Sequence, residues 1–412
     1  MIVGVTRENF PGERRVSLVP ASVPHLIKAG MEVLVETGAG QAAGLLDAAY
    51  QEKGAKIAAT RDELFAQADI VFQVRCLGAN PQQGQEDLPR MKKGQILIGS
   101  CDPLGEPAAI ATLAERGVSL FALEMIPRIT RAQSMDVLSS QATIAGYRAV
   151  LLAAIELPKM FPMLMTAAGT LSPARVFVIG AGVAGLQAIA TAKRLGAIVS
   201  AYDVRPEAAE QIESLGGKTV RLDLESGQSQ DKGGYAKDLG EEFYTRQREQ
   251  MGKVAGESDV VITTAAIPGR PSPLLISEEG ILRMAPGSVA VDLAAQRGGN
   301  IEPSKPDERV EINGITILGP TNLAAEIPNH ASQMLSNNIT KFLLNMIDKE
   351  KKFSINTKDE IVAGTLVAKD GEVVHPRIRE MLSLTPLEPR PAAEPAPSTP
   401  PSEAEGKTDE ST

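Results

Sequence analysis

One segment near the middle of the sequence constrains the fold more than any other. Residues 175–185, RVFVIGAGVAG, join a short apolar run to glycines at positions 180, 182 and 185, and a helical pattern continues to Leu195. Glycine permits a tight turn, close approach to the backbone, and close packing of a helix on a strand. The segment therefore predicts a strand, a glycine turn and a helix, the basic unit of a parallel α/β sheet.

Short apolar runs alternate with helical patterns along most of the chain, once before residue 130 and again after residue 174. Most runs are continuously apolar, which is typical of parallel strands covered by helices on both faces. We therefore predict an α/β fold with two Rossmann-like, doubly wound parallel-sheet domains. The predicted strands are Ile2–Val5, Glu32–Val35, Ile70–Val74, Gln95–Ile98, Arg175–Ile179, Ile198–Tyr202, Val260–Thr263, Val289–Asp292 and Thr316–Leu318.

Two long helical patterns are predicted to connect these domains. Asp136–Lys159 indicates a helix into the second domain, and Asn322–Lys349 indicates a helix that returns the chain to the first. The first domain would then comprise residues 1–140 and 330–380, and the second residues 141–329. A small third unit at the C-terminus is the alternative. Glu360–Val374 predicts a β-hairpin that turns at Asp370–Gly371.

Two segments lack the composition of a packed core. Residues 381–412 are predicted to be a disordered tail, because Pro386–Thr412 contains seven prolines and more acidic than basic residues. Leu224–Gly240 is rich in Gly, Ser, Gln and Lys, and such a long loop predicts either a functional lid or a disordered insertion.

The glycine segment also predicts a ligand. In a strand–glycine–helix unit, Gly180 suits the turn, Gly182 lets a pyrophosphate approach, and Gly185 permits helix packing. The N-terminus of the following helix offers N–H groups to phosphates. Asp203 ends the next strand, where a carboxylate accepts from a ribose 2′-hydroxyl and repels a 2′-phosphate. This pattern predicts NAD(H) rather than NADP(H), although Arg205 could accommodate a 2′-phosphate.

Two further segments are candidate walls of the same site. Residues 124–141 (EMIPRITRAQSMDVLSSQ) are rich in polar side chains and lead into the connecting helix, where clefts between domains often bind ligands. The same residues also suit a plain helix start capped by Ser134 or Asp136. Thr264–Ala266 follows a predicted strand of the second domain, at the sheet edge where ligands bind in open α/β folds. A second glycine cluster, at 38, 40 and 44, has the wrong spacing and predicts a turn.

Composition excludes several classes of function. The net charge of −9 argues against non-specific nucleic-acid binding, so no nucleic-acid partner is expected. Two cysteines and three histidines are too scattered for a metal site or a disulfide framework, so no metal is expected. The most apolar stretch, Ala149–Met165, contains charges and prolines that argue against a membrane span. No histidine falls at the strand ends of the second domain, so no proton shuttle for a dehydrogenase is evident.

Long matches relate the chain to a known family. The segments IPRITRAQSMDVLSSQ, AGYRAV, MTAAGT, GAGVAGLQAIATAKRLGA, GGYAK, ITTAAIPGRP and VDLAAQRGGN resemble the NAD(H)-binding alpha subunits of proton-translocating NAD(P) transhydrogenases. The resemblance covers about residues 1–380. It implies a homodimer in which NAD(H) is bound here and hydride passes directly to or from NADP(H) on a partner subunit.

The resemblance also implies roles for individual residues. Arg128, Gln133, Asp136 and Ser139 would orient the nicotinamide during hydride transfer, and Tyr235 would lie on a mobile loop that closes over the nucleotide. The predicted dinucleotide-binding residues are Arg128, Ile129, Gln133, Ser134, Met135, Asp136, Gly180, Ala181, Gly182, Val183, Ala184, Gly185, Asp203, Val204, Arg205, Gly234, Tyr235, Thr264, Ala265 and Ala266.

The implied partners are an NADP(H)-binding beta subunit and a separate transmembrane subunit. The chain is then expected to be cytoplasmic and peripheral, held on the inner face of the membrane through these subunits. Alanine dehydrogenase is a related family and the alternative function. Its catalytic lysine position reads Arg75 here, its catalytic histidine has no counterpart, and its catalytic aspartate position reads Gln296. A non-catalytic NAD-sensing module is a third possibility.

Overall fold

The computed structural model describes residues 1–222, 241–267 and 269–387. The predicted loop Leu224–Gly240, with Gly234 and Tyr235, and most of the predicted tail lie outside these residues. The first strands and helices are β1 (Ile2–Val5), α1 (Val23–Lys28), β2 (Glu32–Glu36), α2 (Asp47–Glu52), β3 (Lys56–Ala58), α3 (Arg61–Gln67), β4 (Ile70–Arg75), β5 (Ile96–Ser100), α4 (Pro107–Glu115), β6 (Ser119–Ala122) and α5 (Val137–Glu156).

The remaining elements of the described chain are β7 (Leu164–Thr166), β8 (Gly169–Leu171), β9 (Arg175–Ile179), α6 (Val183–Arg194), β10 (Ile198–Tyr202), α7 (Ala208–Ser214), β11 (Lys218–Thr219), α8 (Glu241–Gly256), β12 (Val260–Thr263), α9 (Glu278–Ile281), β13 (Val289–Asp292), β14 (Arg309–Ile312), β15 (Ile315–Leu318), α10 (Pro328–Leu344), α11 (Glu360–Thr365), β16 (Leu366–Lys369), β17 (Glu372–Val373) and α12 (Pro376–Met381). The α/β fold predicted from the sequence is confirmed.

Two large sheets share one arrangement of strands. The first has the order β17-β16-β6-β5-β4-β1-β2-β3, and the second β11-β10-β9-β12-β13-β15-β14. In each, six parallel strands follow the same spatial order, and antiparallel strands extend one edge. In both sheets the order reverses between two neighbouring strands, β1 and β4 in the first and β9 and β12 in the second. Such reversals leave a crevice at the carboxyl ends of the strands.

The helices α5 and α10 connect the sheets. Proline residues bound both helices: Pro158 follows α5 and Pro328 begins α10, so each is shorter than predicted. Buried side chains of α10, including Phe342, pack in the core of the first sheet, and Phe342 meets Phe121 edge-on with ring centroids 5.5 Å apart. The predicted domain limits stay a prediction, and this return of the chain to the first sheet supports them.

The prediction was wrong for the start of the C-terminal hairpin. Residues Glu360–Thr365 form α11, and the hairpin consists of β16 and β17 only, turning at Asp370–Gly371 as predicted. The side chain of Asp359 caps α11 by accepting two backbone N–H groups. Asp359 also receives two hydrogen bonds from Arg131, at 2.8 and 3.0 Å. This distant partner fixes the cap, and no local pattern in the sequence reveals it.

A buried ion cluster joins the first sheet to the connecting segments. The Glu13 carboxylate pairs with Arg15 at 2.6 Å and with Arg75 at 3.1 Å. Arg15 in turn donates to the side chains of Gln141 on α5 and Asn322 before α10. Burial alone would raise the pKa of Glu13, but the hydrogen bonds and charges of the two arginines outweigh it and lower the pKa to about 2.

Replacing Glu13 with Gln should lower the free energy of unfolding at pH 7 by about 3–5 kcal/mol, because two arginines lose their buried carboxylate partner. The pKa of Glu13 is lowered from its ordinary value of 4.5. Its stabilisation is therefore complete above about pH 5 and is lost as pH falls toward 2. Urea unfolding measured across this range should show wild type and variant converging at low pH.

The control is Glu32→Gln, which removes an exposed salt bridge to Lys56. Its effect should stay below about 1 kcal/mol at every pH. Equal losses in the two variants would contradict a special contribution from the buried cluster.

Candidate functional site

A cleft of about 650 Å³ is lined by residues that follow strands of both sheets. Residues after β9, β10, β12 and β13 form one side, and residues after β5 and β6, with the start of α5, form the other. Of the predicted residues, the lining contains Arg128, Ser139, Gly180, Ala181, Gly182, Val183, Ala184, Asp203, Val204, Arg205, Thr264, Ala265 and Ala266.

The three glycines after β9 have different surroundings. Gly180 has a φ of +96°, and a Cβ atom on it would lie 2.6 Å from Thr264 Oγ1. A Cβ on Gly185 would lie 1.7 Å from the carbonyl oxygen of Gly180. Packing therefore requires glycine at both positions. Gly182 has a φ of −74°, and a Cβ on it would meet nothing within 4 Å. Nothing in the described protein requires glycine at 182, so a ligand that approaches the backbone explains it best.

The start of α6 completes an anion-binding loop. Gly182 is the N-cap residue and provides no side-chain cap to the first N–H groups of the helix. These N–H groups and the positive end of the helix dipole favour a phosphate at this position. The loop thus fits the pyrophosphate of a dinucleotide.

Asp203 has a structural role within the described protein. Its carboxylate accepts the backbone N–H of Ala181 at 2.7 Å, and it also accepts the N–H, Nε and Nη2 of Arg205. The hydrogen bonds to Asp203 raise the pKa of Arg205. These four bonds use the lone pairs available on a carboxylate. A ribose hydroxyl would therefore share or replace a bond that Arg205 now makes, and the predicted role of Asp203 in choosing NAD(H) stays a prediction.

The wall after β12 is held from behind by one side chain. Asn300 accepts the N–H of Ala265 at 3.0 Å and donates to its carbonyl at 2.9 Å. The backbone of Asn300 is in turn held by the buried carboxylate of Asp292, at 2.8 Å. Burial raises the pKa of Asp292, against the hydrogen bonds that it accepts. The segment VDLAAQRGGN therefore fixes the position of Thr264–Ala266.

The first-sheet side of the cleft begins with a capped helix. Asp136 is the N-cap of α5, and its carboxylate accepts the Ser139 N–H at 2.9 Å and the Ser139 hydroxyl at 2.6 Å. Ser139 lines the cleft, whereas Asp136 does not. Gln133 and Ser134 are exposed outside the lining, and Ile129 and Met135 pack against the core of the first sheet.

Several cleft residues were missed by the sequence reasoning. Asp102 follows β5 and Glu124 follows β6, so their positions at strand ends carried a signal that was not used. Asp102 adopts a φ of +44° and pairs at 2.7 Å with Arg297, which follows β13. This ion pair bridges the two sides of the cleft. Gln247 of α8 also lines it and donates to the Tyr202 hydroxyl at 3.0 Å.

The crevice of the first sheet lacks these features. The loop after β1 contains a single glycine, Gly12, in place of the glycine-rich turn after β9. Glu13 of this loop holds the two buried arginines described above. The cluster at 38, 40 and 44 forms a turn with a short 3₁₀ helix, as predicted. Within the described ranges, no group of His, Cys, Asp or Glu side chains is arranged to hold a metal ion.

By length and composition alone, α5 is the one helix of the described residues that could cross a membrane. It packs on α6, where a Cβ on Gly146 would lie 2.1 Å from the carbonyl oxygen of Ala184. Ala149, Val150 and Ala153 of α5 are buried in the core of the second sheet.

Comparison with known families covers almost all of the described chain. Residues 4–145 match the family described as alanine dehydrogenase/PNT, N-terminal domain, and residues 149–376 match its C-terminal domain. The chain is 45% identical over 380 residues to a separately encoded NAD(P) transhydrogenase alpha-subunit chain of Rhodospirillum rubrum, covering 92% of this chain and 99% of that protein. It is 43% identical over 379 residues to NAD(P) transhydrogenase subunit alpha of Cereibacter sphaeroides, covering 91% and 71%.

More distant relatives include the alanine dehydrogenase of Mycolicibacterium smegmatis, which is 25% identical over 391 residues and covers 93% and 97% of the two chains. Among solved structures, a transhydrogenase from Sinorhizobium meliloti superposes with a TM-score of 0.78 at 40% identity, covering 92% and 100%. An L-alanine dehydrogenase superposes with a TM-score of 0.76 at 25% identity, covering 93% and 99%.

Replacing Gly182 with Ala should weaken NADH binding by about tenfold or more, because the added methyl group enters the space of the pyrophosphate. The free energy of unfolding should stay within about 0.5 kcal/mol of wild type, because the φ is ordinary and the space is open. Titration calorimetry and urea unfolding measure the two effects. Unchanged affinity would refute the assignment of the phosphate site, and Gly185→Ala is a control that should lose stability instead.

Proposed function

This chain belongs to the alanine dehydrogenase/PNT family, and we propose that it is the NAD(H)-binding subunit of a proton-translocating NAD(P) transhydrogenase. The observation that carries the proposal is the open position at Gly182, beneath the start of α6, in a cleft lined from both sheets. The transhydrogenase subunits described above, similar over more than nine-tenths of this chain, support the same assignment.

The alternative, oxidation of an amino acid, is disfavoured by the side chains at the related positions. Arg75 stands at the lysine position of alanine dehydrogenases, and a guanidinium stays protonated in proteins, so it cannot exchange a proton. Here it pairs with Glu13 and stacks on the ring of Phe10 at 4.2 Å. Gln296 replaces an aspartate and carries no titratable group. A substrate alcohol or amine would therefore lack an acid–base partner among these residues.

The proposed chemistry needs positioning and no proton transfer by this chain. Bound NAD(H) supplies or receives a hydride, which passes directly to or from NADP(H) on a partner subunit. The loop at Gly180–Gly185 holds the pyrophosphate, and Thr264–Ala266 forms a wall fixed by Asn300. Arg128 and Ser139 face the cleft from the other side. Effective alignment of two reactants can account for several orders of magnitude in rate.

Gln133 and Asp136 are proposed to act in different ways. Asp136 holds Ser139 and the first turn of α5 in place. Gln133 is exposed beside the cleft. Its proposed orienting role therefore requires that the 3₁₀ segment Thr130–Met135 shift toward the bound ring.

A reconstituted assay tests the function. Purified chain, mixed with an NADP(H)-binding partner, should reduce acetylpyridine adenine dinucleotide with NADPH, and should do so only when both proteins are present. Gln133→Asn should slow single-turnover hydride transfer by about a hundredfold, because misplacement of the ring lowers the rate steeply. NADH affinity should change less than about twofold, because Gln133 contributes little to holding the rest of the dinucleotide.

Gln51→Asn, at an exposed site in the first half of the chain, is the matched control and should change neither quantity. Steady NADH production from L-alanine by the isolated chain would establish the amino-acid dehydrogenase instead. Nucleotide binding without any transfer would favour a sensing module.

We further propose a homodimer. The hairpin β7–β8 and the residue before it project apolar side chains into solvent: Met163, Met165 and Leu171 are 58, 72 and 50% exposed. Ile155 near the end of α5 is also 71% exposed. Clusters of large exposed apolar side chains usually mark interfaces. The beta subunit, the transmembrane subunit and a peripheral position on the inner face of the membrane complete the proposed assembly.

Replacing Met165 with Asp should convert the dimer to monomer, because a charge would be buried at the interface. Light scattering after size-exclusion chromatography reports the mass directly. Leu46→Asp, at another exposed leucine (61%) far from the hairpin in sequence, should leave the mass unchanged. A wild-type chain that is monomeric at micromolar concentration would refute the proposed interface.

A further inference from the structure

Glu124 lies on the first-sheet side of the cleft, two residues after the end of β6. Its Oε1 atom accepts the backbone N–H of Cys101 at 2.6 Å and also that of Asp102. These bonds hold the loop whose carboxylate pairs with Arg297 across the cleft. One half of the Glu124 carboxyl group is therefore fully used in fixing the protein.

The other half has no such use. Glu124 Oε2 is buried, and no described residue offers it a hydrogen-bond partner. Buried polar atoms in native proteins nearly always have a partner, and an exception calls for an explanation. The residue itself is only partly buried and lines the cleft. Because the terminal torsion of a glutamate is broad, a small rotation brings Oε2 to the cleft surface.

The direction of a bound dinucleotide follows from the second sheet. The pyrophosphate lies at Gly182, and the adenosine half lies toward Asp203 at the end of β10. The other half then extends toward Thr264–Ala266, on the far side of the strand reversal. Glu124 and Arg128 line the same cleft from the first sheet. The nicotinamide ring carries one amide group, and its NH₂ is a donor of the kind that Glu124 Oε2 lacks.

We propose that Glu124 is a further positioning residue, whose Oε2 accepts a hydrogen bond from the carboxamide NH₂ of bound NAD(H). This inference rests on the proposed function. The carboxylate would select the ring orientation that directs the amide toward the first sheet. Oε1 would keep its two backbone bonds, so the same side chain would connect the ring to the Asp102–Arg297 bridge.

The electrostatic surroundings make this contact dependent on pH. Burial raises the pKa of Glu124 to about 7, and the nearby Asp102 raises it further, against the backbone N–H groups that lower it. Arg128 and Arg297 are the cations that line the cleft near it, and Cys101, whose own pKa is raised by burial, stays a thiol. Because the ionised form accepts the bond, ligand binding lowers the pKa of Glu124, and affinity must rise with pH up to about 7.

The test compares dinucleotides that differ only at the ring. NADH affinity of the full chain should increase about tenfold between pH 6 and pH 8, the change expected for one group with a pKa near 7. Glu124→Gln should abolish this slope. With wild-type protein, the acetylpyridine analogue, which has a methyl group in place of the NH₂, should also show no slope. ADP-ribose, which has no ring, should bind wild type and variant equally at both pH values.

The outcomes separate the two proposals. An NADH slope that persists in Glu124→Gln, or that appears equally with the acetylpyridine analogue, overturns the role of Glu124. Affinity that falls as pH rises overturns it as well, since the protonated form would then be the binding form. Failure of ADP-ribose to bind wild type overturns the dinucleotide site itself. The analogue measurement uses unaltered protein and decides the question even if the variant folds poorly.

Discussion

The close approach of α5 to α6 determines where the cleft can be. The Cα of Gly146 lies so near the carbonyl of Ala184 that no side chain fits between the helices. α6 begins at the phosphate loop, and α5 begins at Asp136 and Ser139 on the opposite side. Packing of two helices along their length therefore fixes the distance between the two functional sides. The ion pairs and loops at the rim adjust a geometry that this contact has already set.

Buried carboxylates organise the loops around the cleft. Asp203 holds the glycine turn, Asp292 holds the loop that positions Asn300, and Glu124 holds the loop after β5. Each accepts backbone N–H groups, which is an efficient way to satisfy an irregular segment that has left a strand. All three lie at or just beyond the carboxyl end of a parallel strand. The acidic net charge of this protein is thus partly internal.

The sequence predicted the strands well because both faces of each parallel sheet are covered, which makes each strand a continuous apolar run. It also located most of the second-sheet side of the cleft, since the glycine turn and the next strand end are local patterns. The other side depends on long-range contacts. The cap at Asp359 requires Arg131, and the significance of Glu124 appears only when two loops and the second sheet come together. A single buried atom without a partner leaves no trace in composition or spacing.

The bridge between Asp102 and Arg297 has a kinetic consequence. Both side chains are about one-third exposed, so the attraction is partly screened by salt. A molecule held between the two sheets leaves more easily when this bridge is broken than when it is formed. The residence time of a bound nucleotide should then shorten as ionic strength increases, even if the phosphate loop keeps its contacts. The rim, rather than the floor, would control the turnover of occupants.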